Sequence, residues 1–396
     1  MRTTSTSFDQ RLPAGFFDRA QQRVRDQAAV NGLDAVFTDN PEDVAYLTGF
    51  FHHPCERPVA VWVPTDDESI LLVPELEREH AESQSARANL VSYPEYPGVV
   101  PPFSALAAAV RSTGRVGHST STSYQRLAAV GDQLPGIDFV PTDLVIAARA
   151  LKQPEEIALH TEAARITDLM LTAGVAMVTD AIGRGGPFPS EAELASHVTS
   201  TGVSAMYDEH VGVVVVSPLA GGLVYAGANS AYPHGLPSAY RLRAGDTFML
   251  SLGCAVGGRF VEGERTFLLG EPTADQRRYY TAVQLAQEVG ARAIRPGTRC
   301  SEANKQCLEV IREAGLGKFL RHRQGHGIGL GMHEPPWLEE GDDTLLTEGM
   351  IVSNEPGIYV RDHAGYRISD SMLVTANGSV ALTSFPRGLH DAIIPV

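Results

Sequence analysis

The sequence predicts two domains, an α/β domain over residues 1–152 and an α+β domain over residues 153–396. Its 396 residues are enough for two substantial hydrophobic cores. Helical and strand patterns alternate through the first half, which is typical of an α/β domain. In the second half, helices accompany long β-rich segments with hairpin signals, and this arrangement favours an α+β domain.

The first half consists of helical segments separated by short apolar strands. The first helix is expected to end at Gly32, and a later one begins with proline and ends at Gly114. Strands are indicated where short apolar runs rich in valine and leucine occur. Helices are predicted at 16–32, 101–114 and 123–134, and strands at 34–39, 57–64, 69–74 and 115–119.

A long amphipathic helix over 151–182 marks the change of domain. Pro154 opens it, and acidic residues occupy its first turn, where they complement the helix dipole. Beyond it, Asn377-Gly378 is a strong hairpin signal. Further helices are predicted at 275–294 and 301–317, and strands or hairpins at 212–217, 246–269, 350–360 and 366–385.

Composition excludes several classes of protein. A formal net charge of -15 argues against a nucleic-acid partner, because little would neutralise a phosphate backbone. No uninterrupted apolar stretch approaches the length of a membrane span, and residues 1–15 lack the apolar segment of a signal peptide. The four cysteines show no zinc-type spacing. We therefore expect a cytoplasmic protein with no nucleic-acid or membrane partner.

Four sequence segments carry the chemistry: 227–235 (GANSAYPHG), 245–267, 325–336 (GHGIGLGMHEPP) and 353–374. Their order and their residues resemble the motifs of the pita-bread hydrolase family of methionine aminopeptidases, prolidases, Xaa-Pro aminopeptidases and creatinases. The resemblance implies a creatinase-like N-terminal domain followed by a pita-bread catalytic domain. In the metal-using members, five positions supply two aspartates, one histidine and two glutamates. The matching residues here are Ser251, Glu262, His326, Glu355 and Ser369.

The two serines at these positions weigh against a pair of metal ions. Two divalent ions close together need several carboxylates to offset their mutual repulsion. Neutral hydroxyls at Ser251 and Ser369 remove about two negative charges from that shell. The sequence therefore predicts no dinuclear metal site and no cofactor. A single, weakly held ion on Glu262, His326 and Glu355 remains the alternative.

The segments Ser251–Cys254 and Glu262–Thr266 resemble the creatinase branch of the family, which works without metal. That resemblance implies that His234 moves the proton, and that Glu264 and Glu355 clamp a planar cationic group. An imidazole titrates near neutral pH, which suits general acid–base catalysis. Two carboxylates on either side of one site would favour a cationic ligand. His234, Glu264 and Glu355 are thus the predicted catalytic residues.

The same resemblance implies a set of substrate-binding residues. Arg57 aligns with a creatinase arginine that reaches the substrate carboxylate from the neighbouring subunit, and Cys55 replaces a nearby phenylalanine. A homodimer with a shared active site is therefore expected. His326 and His333 are predicted to donate or accept hydrogen bonds in the pocket, and Trp337 to shape it. A second carboxylate-binding arginine, expected after the 325–336 segment, is missing from this chain.

The leading prediction is a metal-independent, creatinase-like hydrolase that cleaves a C–N bond in a small zwitterionic amidine or guanidino compound, such as creatine or an ectoine-like molecule. One alternative is an Xaa-Pro aminopeptidase or dipeptidase with a reduced metal site, because residues 333–336 (HEPP) and 353–360 (SNEPGIYV) are worded like those peptidases. A second alternative is a non-catalytic pita-bread binding module. The substrate, and the choice between hydrolase and lyase, are left open by the sequence.

Overall fold

The chain forms two compact units in a computed structural model that describes residues 7–111 and 114–396. The N-terminal unit comprises Arg11–Arg149 together with Val214–Val216. The C-terminal unit comprises Ala150–Val213 and Ser217–Val396 with residues 7–10. The boundary at Arg149 lies three residues before the predicted one.

The N-terminal unit is built around a six-stranded mixed sheet. A short first strand of the chain, β1 (Phe8–Asp9), belongs instead to the C-terminal unit. The strands that follow are β2 (Ala35–Thr38), β3 (Ala60–Pro64), β4 (Ile70–Pro74), β5 (Asn89–Tyr93), β6 (Arg115–Ser119) and β7 (Asp138–Thr142), and the helices are α1 (Ala14–Val30), α2 (Pro41–Thr48), α3 (Glu75–Ser83), α4 (Pro102–Ala109), α5 (Tyr124–Gln133) and α6 (Leu144–Ala150).

The strands of this sheet run in the order β5-β4-β3-β2-β6-β7. The central strand β2 pairs antiparallel with β3 and parallel with β6. One face buries Phe37 and Trp62 against Phe103 of α4 and Val130 of α5. The predicted α/β class is confirmed. The helix predicted at 101–114 ends at Ala109, and its residues 112–113 lie outside the described residues.

The C-terminal unit contains one large sheet and the long helices that cover it. Its helices are α7 (Pro154–Gly183), α8 (Glu191–Glu209), α9 (Ala274–Ala293), α10 (Cys300–Glu313) and α11 (Leu389–Ala392). Its strands are β8 (His210–Val211), β9 (Ala220–Ala226), β10 (Thr247–Val256), β11 (Arg259–Leu269), β12 (Gly325–Gly327), β13 (Glu334–Leu338), β14 (Ile351–Asn354), β15 (Gly357–Val360), β16 (Ala364–Arg367), β17 (Ser369–Thr375), β18 (Gly378–Ala381) and β19 (Ile393–Ile394). Short 3-10 helices lie at Gly227–Ala231 and Gly317–Phe319.

The main sheet has the order β13-β12-β14-β17-β11-β10-β9, with β18 on β17 and β19 on β11. Neighbours along the main path pair antiparallel. Its two longest strands form the β10–β11 hairpin, which turns at two glycines with positive φ, Gly257 and Gly258. The α+β prediction for this half is confirmed.

Two of the predicted strand segments differ from the structure. Residues 212–217 join no ladder, and Val214–Val216 are part of the N-terminal unit. A run of valines has the composition of a strand but does not specify a pairing partner. The hairpin near Asn377 is present, with Thr375 paired to Gly378, so its two-residue turn is Ala376-Asn377, one residue earlier than predicted.

Helix α7 is long and apolar enough, by length and composition, to span a membrane. It packs against β10, β11 and α8. At Gly174 the helix lies so close to the sheet that a Cβ there would be 2.7 Å from Leu250 Cδ1. We therefore interpret α7 as a core helix of the C-terminal unit.

A buried ion pair near the start of the C-terminal unit is expected to contribute strongly to stability. Lys152 Nζ lies 3.1 Å from Glu334 Oε1, and both side chains are only 2% exposed. Because Lys152→Met removes the cation and leaves the carboxylate buried, it should lower the free energy of unfolding by about 3 kcal/mol. Urea denaturation followed by circular dichroism measures the change.

The matched control is Lys305→Met, since Lys305 is exposed on α10. That variant should stay within about 0.5 kcal/mol of the unchanged protein. Equal losses in the two variants would contradict a stabilising role for the Lys152–Glu334 pair.

Candidate active site

A cavity of about 820 Å³ opens in the C-terminal unit. Strands β9 to β12, strand β16 and nearby loops supply its walls. Its lining includes six apolar side chains: Pro218, Leu223, Pro233, Leu252, Phe260 and Met332. It also includes charged and imidazole side chains: His234, Glu262, Glu264, Arg321, His322, Arg323, His326, His333, Glu339, Glu355 and Arg367.

The register of three strands brings Ser251, Glu264 and Ser369 into one row. Ser251 on β10 pairs with Glu264 on β11, and Glu264 pairs with Ser369 on β17. Because side chains alternate along a strand, Glu262 lies on the same face as Glu264. Ser251, Glu262 and Glu264 thus line the cavity, and Ser369 is buried beside them.

Glu264 is held by a buried arginine. Arg367 Nε lies 2.5 Å from Glu264 Oε2, and Arg367 Nη2 donates to Glu264 Oε1 at 2.6 Å. The same Nη2 donates to Ser251 Oγ at 2.9 Å, and the Ser251 hydroxyl donates to Glu264. Burial raises the pKa of the Glu264 carboxyl, while the charge of Arg367 acts in the opposite direction.

Tyrosine hydroxyls complete the surroundings of the guanidinium. Arg367 donates to the hydroxyls of Tyr359, at 3.2 Å, and Tyr225, at 3.0 Å. His322 Nε2 contacts the Tyr359 hydroxyl at 2.8 Å. This network fixes the Arg367 side chain, and through it the position of the Glu264 carboxylate.

Glu262, His326 and Glu355 form a second cluster. His326 Nε2 lies 3.2 Å from Glu355 Oε1 and 3.8 Å from Glu262 Oε2. Ser369 Oγ donates to Glu262 Oε1 at 2.9 Å. The other ring nitrogen, His326 Nδ1, contacts the carbonyl oxygen of Gly327 at 3.0 Å. With a proton on Nδ1 donated to that carbonyl, Nε2 faces the two carboxylates, as an N–H group in the protonated ring and as a free ligand atom in the neutral ring.

The charges of this cluster are interdependent. Burial would lower the pKa of His326, but Glu355 and Glu262 outweigh it and raise that pKa to about 9. Burial and the charge of Glu355 raise the pKa of Glu262 to about 8. Burial would raise the pKa of Glu355, but contact with His326 holds it at about 2. The cluster therefore holds a proton more tightly on His326 and Glu262, and less tightly on Glu355, than the isolated groups would.

The remaining histidines of the cavity differ from His326 in their surroundings. The His333 ring stacks on His326 with centroids 3.8 Å apart. Burial and the neighbouring His326 charge lower the pKa of His333 to about 4, so it is neutral at pH 7. His234 is exposed, in the turn between β9 and β10. The structure thus brings together five predicted site residues in one cavity: His234, Glu264, His326, His333 and Glu355.

Three predicted substrate-binding residues, Cys55, Arg57 and Trp337, are not part of the cavity lining. Cys55 and Arg57 belong to the N-terminal unit, where Arg57 forms ion pairs with Glu56 and Glu95. Trp337, on β13, stacks beneath the guanidinium of Arg323, which lies 4.4 Å from the ring centroid. A role in substrate binding stays a prediction for all three.

Comparisons with known proteins place the chain in a family. Residues 158–376 match the model of metallopeptidase family M24, and residues 21–150 match the creatinase/prolidase N-terminal domain. The chain belongs to metallopeptidase family M24. Among its relatives, a putative dipeptidase, YkvY of Bacillus subtilis, is 30% identical over 93% of this chain and 98% of its own length.

Further members of family M24 are similar over nearly the whole chain. An Xaa-Pro dipeptidase of Pyrococcus furiosus is 30% identical over 91% of this chain and 96% of its own length. The crystal structure of the prolidase from Pyrococcus horikoshii covers 94% of this chain and 99% of its own, with a TM-score of 0.81 at 26% identity. The two-domain pita-bread fold is thereby confirmed.

These relatives correct the predicted function. The expectation of a metal-independent, creatinase-like amidinohydrolase is wrong, because relatives that match over nine-tenths of the chain are named dipeptidases and prolidases. The resemblance to creatinase depended on two short segments, Ser251–Cys254 and Glu262–Thr266. The alternative of an Xaa-Pro peptidase is favoured instead.

The donor set decides how many metal ions of a family M24 enzyme would fit. Two ions do not fit, since Ser251 and Ser369 are neutral and Arg367 engages both oxygens of Glu264. One ion does fit. His326 Nε2 is a buried nitrogen without a hydrogen-bond partner among the described residues, and it faces the oxygens of Glu262 and Glu355. Imidazole and carboxylate are common ligands of divalent ions.

Five charged or imidazole residues of the cavity lining were not predicted from the sequence: Arg321, His322, Arg323, Glu339 and Arg367. Arg367 was read as part of a strand, although an arginine in a buried strand requires a carboxylate partner. Its partner, Glu264, is 103 positions away in the chain, so no local pattern links the two. Arg321, at the exposed edge of the cavity, follows a 3-10 helix and carries no motif of its own.

Metal binding should be stoichiometric and dependent on pH. We expect one Mn²⁺, Co²⁺ or Zn²⁺ per chain by elemental analysis after equilibrium dialysis. Ligands must lose their protons, and His326 and Glu262 hold theirs at pH 7 because their pKa values are about 9 and about 8. Affinity should therefore rise between pH 7 and 9.

Calorimetry in buffers of different ionisation enthalpy should detect protons released on binding at pH 7. His326→Ala should abolish the binding, whereas the exposed His390 can be changed to alanine without effect. Two ions per chain, or an affinity that falls as the pH rises, would contradict the single-ion site.

Proposed function

We propose that this protein is a dipeptidase that hydrolyses the peptide bond of short substrates such as Xaa-Pro with the help of one divalent metal ion. The observation that carries the proposal is the cluster of Glu262, His326 and Glu355 on the floor of the cavity. The names of the relatives support the choice of a dipeptide as substrate.

Glu262, His326 and Glu355 would hold the ion. A divalent ion in such a site polarises a substrate carbonyl and lowers the pKa of a bound water. Ser369 orients Glu262 through its hydrogen bond, and the Gly327 carbonyl orients His326. Hydrogen bonds of this kind keep ligand atoms in position.

The walls of the cavity suit a small, partly apolar substrate. A volume of about 820 Å³ lies within the range of small-molecule sites and exceeds what a dipeptide needs. Leu223, Leu252, Phe260 and Met332 form an apolar surface on which a proline ring could pack. Exclusion of water by such a surface strengthens the polar contacts beside it.

Two histidines are available for proton transfer and hydrogen bonding. His234 lies in the lining and is exposed, so it can exchange a proton with solvent and deliver it to the leaving nitrogen. His333 is neutral at pH 7, because its pKa is about 4. It can therefore donate a hydrogen bond to a substrate oxygen without adding a charge.

A turnover screen tests the proposal. The protein is incubated with Ala-Pro, Leu-Pro, Ala-Ala and creatine in the presence of Mn²⁺, Co²⁺ or Zn²⁺, and free amino acids are quantified by chromatography. Release of proline from Xaa-Pro that requires a metal supports a dipeptidase. If the folded, metal-loaded protein cleaves none of the dipeptides, the proposal fails and the binding-module alternative gains support.

Replacement of His234 should separate its role in proton transfer from a role in binding. His234→Ala should lower kcat by about 10²- to 10⁴-fold and change KM little, because a general acid acts in the transition state. The matched control is His390→Ala on the exposed surface of the same unit. A fall in kcat below threefold would remove His234 from the mechanism.

A further inference from the structure

The charged side chains that line the cavity can be sorted by their partners. Arg367 is matched by Glu264. Arg323 forms an ion pair with Glu339 at 2.7 Å and stacks on Trp337. These two arginines are therefore already neutralised by residues of the chain.

Arg321 is the third arginine of the lining, and its position is different. Its Nη1 donates to the carbonyl oxygens of Lys318 and Leu320, at 2.7 and 2.8 Å. Among the described residues no carboxylate forms an ion pair with it. The two carbonyls fix one side of the guanidinium, and the other N–H groups remain available on an exposed side chain.

His322, next to Arg321 in the chain, has no free ring nitrogen with which to bind an anionic group. Both nitrogens of His322 are engaged, Nε2 with the hydroxyl of Tyr359 and Nδ1 with the carbonyl oxygen of Arg323, each at 2.8 Å. Among the described residues, the cavity thus has the carboxylates Glu262 and Glu355 on its floor and, at its exposed edge, Arg321 as a cation without a carboxylate partner. A ligand that complements both ends carries a carboxylate at its outer end.

We propose that Arg321 binds the free carboxylate of the substrate and so restricts hydrolysis to dipeptides. This inference rests on the proposed dipeptidase function and adds the residue that sets substrate length. A guanidinium presents parallel N–H groups that match a carboxylate in geometry as well as charge. A peptide amide or a longer peptide places a neutral group at Arg321 and loses that interaction.

The test compares Ala-Pro with Ala-Pro amide and Ala-Pro-Ala. In the unchanged protein, kcat/KM should be about 10- to 100-fold higher for Ala-Pro than for its amide, the size expected for a hydrogen-bonded charge. Arg321→Met should raise KM for Ala-Pro by a similar factor and leave the amide unaffected. Arg321→Lys should restore part of the preference, because it keeps the charge but not the paired geometry.

Arg361→Met serves as the matched control, since the side chain of Arg361 is 84% exposed and pairs only with Asp362 among the described residues. This variant should leave kcat/KM unchanged for all three substrates. A preference for Ala-Pro that persists in Arg321→Met overturns the inference. Equal cleavage of acid and amide by the unchanged protein does the same.

A binding measurement separates this inference from the proposed function. Titration calorimetry gives the affinities of the metal-free protein for Ala-Pro and for Ala-Pro amide without any turnover. If no dipeptide is hydrolysed but the acid binds better and Arg321→Met removes the difference, the carboxylate site stands and the dipeptidase proposal fails. Failure of the unchanged protein to bind the acid in preference to the amide overturns the carboxylate site.

Discussion

The buried guanidinium of Arg367 is the constraint on which the rest of the site depends. Arg367 is 4% exposed, and a charge taken so far out of water must be matched by an opposite charge in good geometry. Ser251, whose hydroxyl contacts the guanidinium from β10, is neutral and cannot supply that charge. Glu264, its cross-strand neighbour in the β10–β11 hairpin, supplies it instead. The carboxylate that Arg367 requires therefore comes from β11, and β10 contributes only a hydroxyl.

Strands β11 and β17 are linked in a similar way. Ser369 contributes a short hydroxyl side chain and Glu262 a longer carboxylate. The two meet in a hydrogen bond of 2.9 Å. The site therefore keeps three carboxylates, Glu262, Glu264 and Glu355, beside one buried arginine. With every carboxyl ionised, the three carboxylates and Arg367 together carry two negative charges. That charge balances one divalent ion but not two.

The sequence predicted the parts of the fold that depend on local patterns. The long β-rich segment at 246–269 indicated strand or hairpin structure, which the β10–β11 hairpin confirms, and Pro154 with its acidic first turn indicated α7. The five residues His234, Glu264, His326, His333 and Glu355 were also predicted, and the structure brings them into one cavity. The pairing of Glu264 with Arg367 was not predictable, because it joins two strands about a hundred residues apart. Without that pair, Ser251 indicated a lost metal site and favoured the wrong branch of the family.

The net charge of the buried cluster determines how strongly the cavity attracts an anionic group of the substrate. One divalent ion with three carboxylates and Arg367 has a net charge near zero, so the floor would attract an anionic group only weakly. The whole chain carries a formal charge of -15, which repels anions at long range. A substrate carboxylate must then find a positive charge close by, within the distance that salt does not screen. Because Arg323 and Arg367 are matched within the described chain, the local attraction for such a group is concentrated at Arg321.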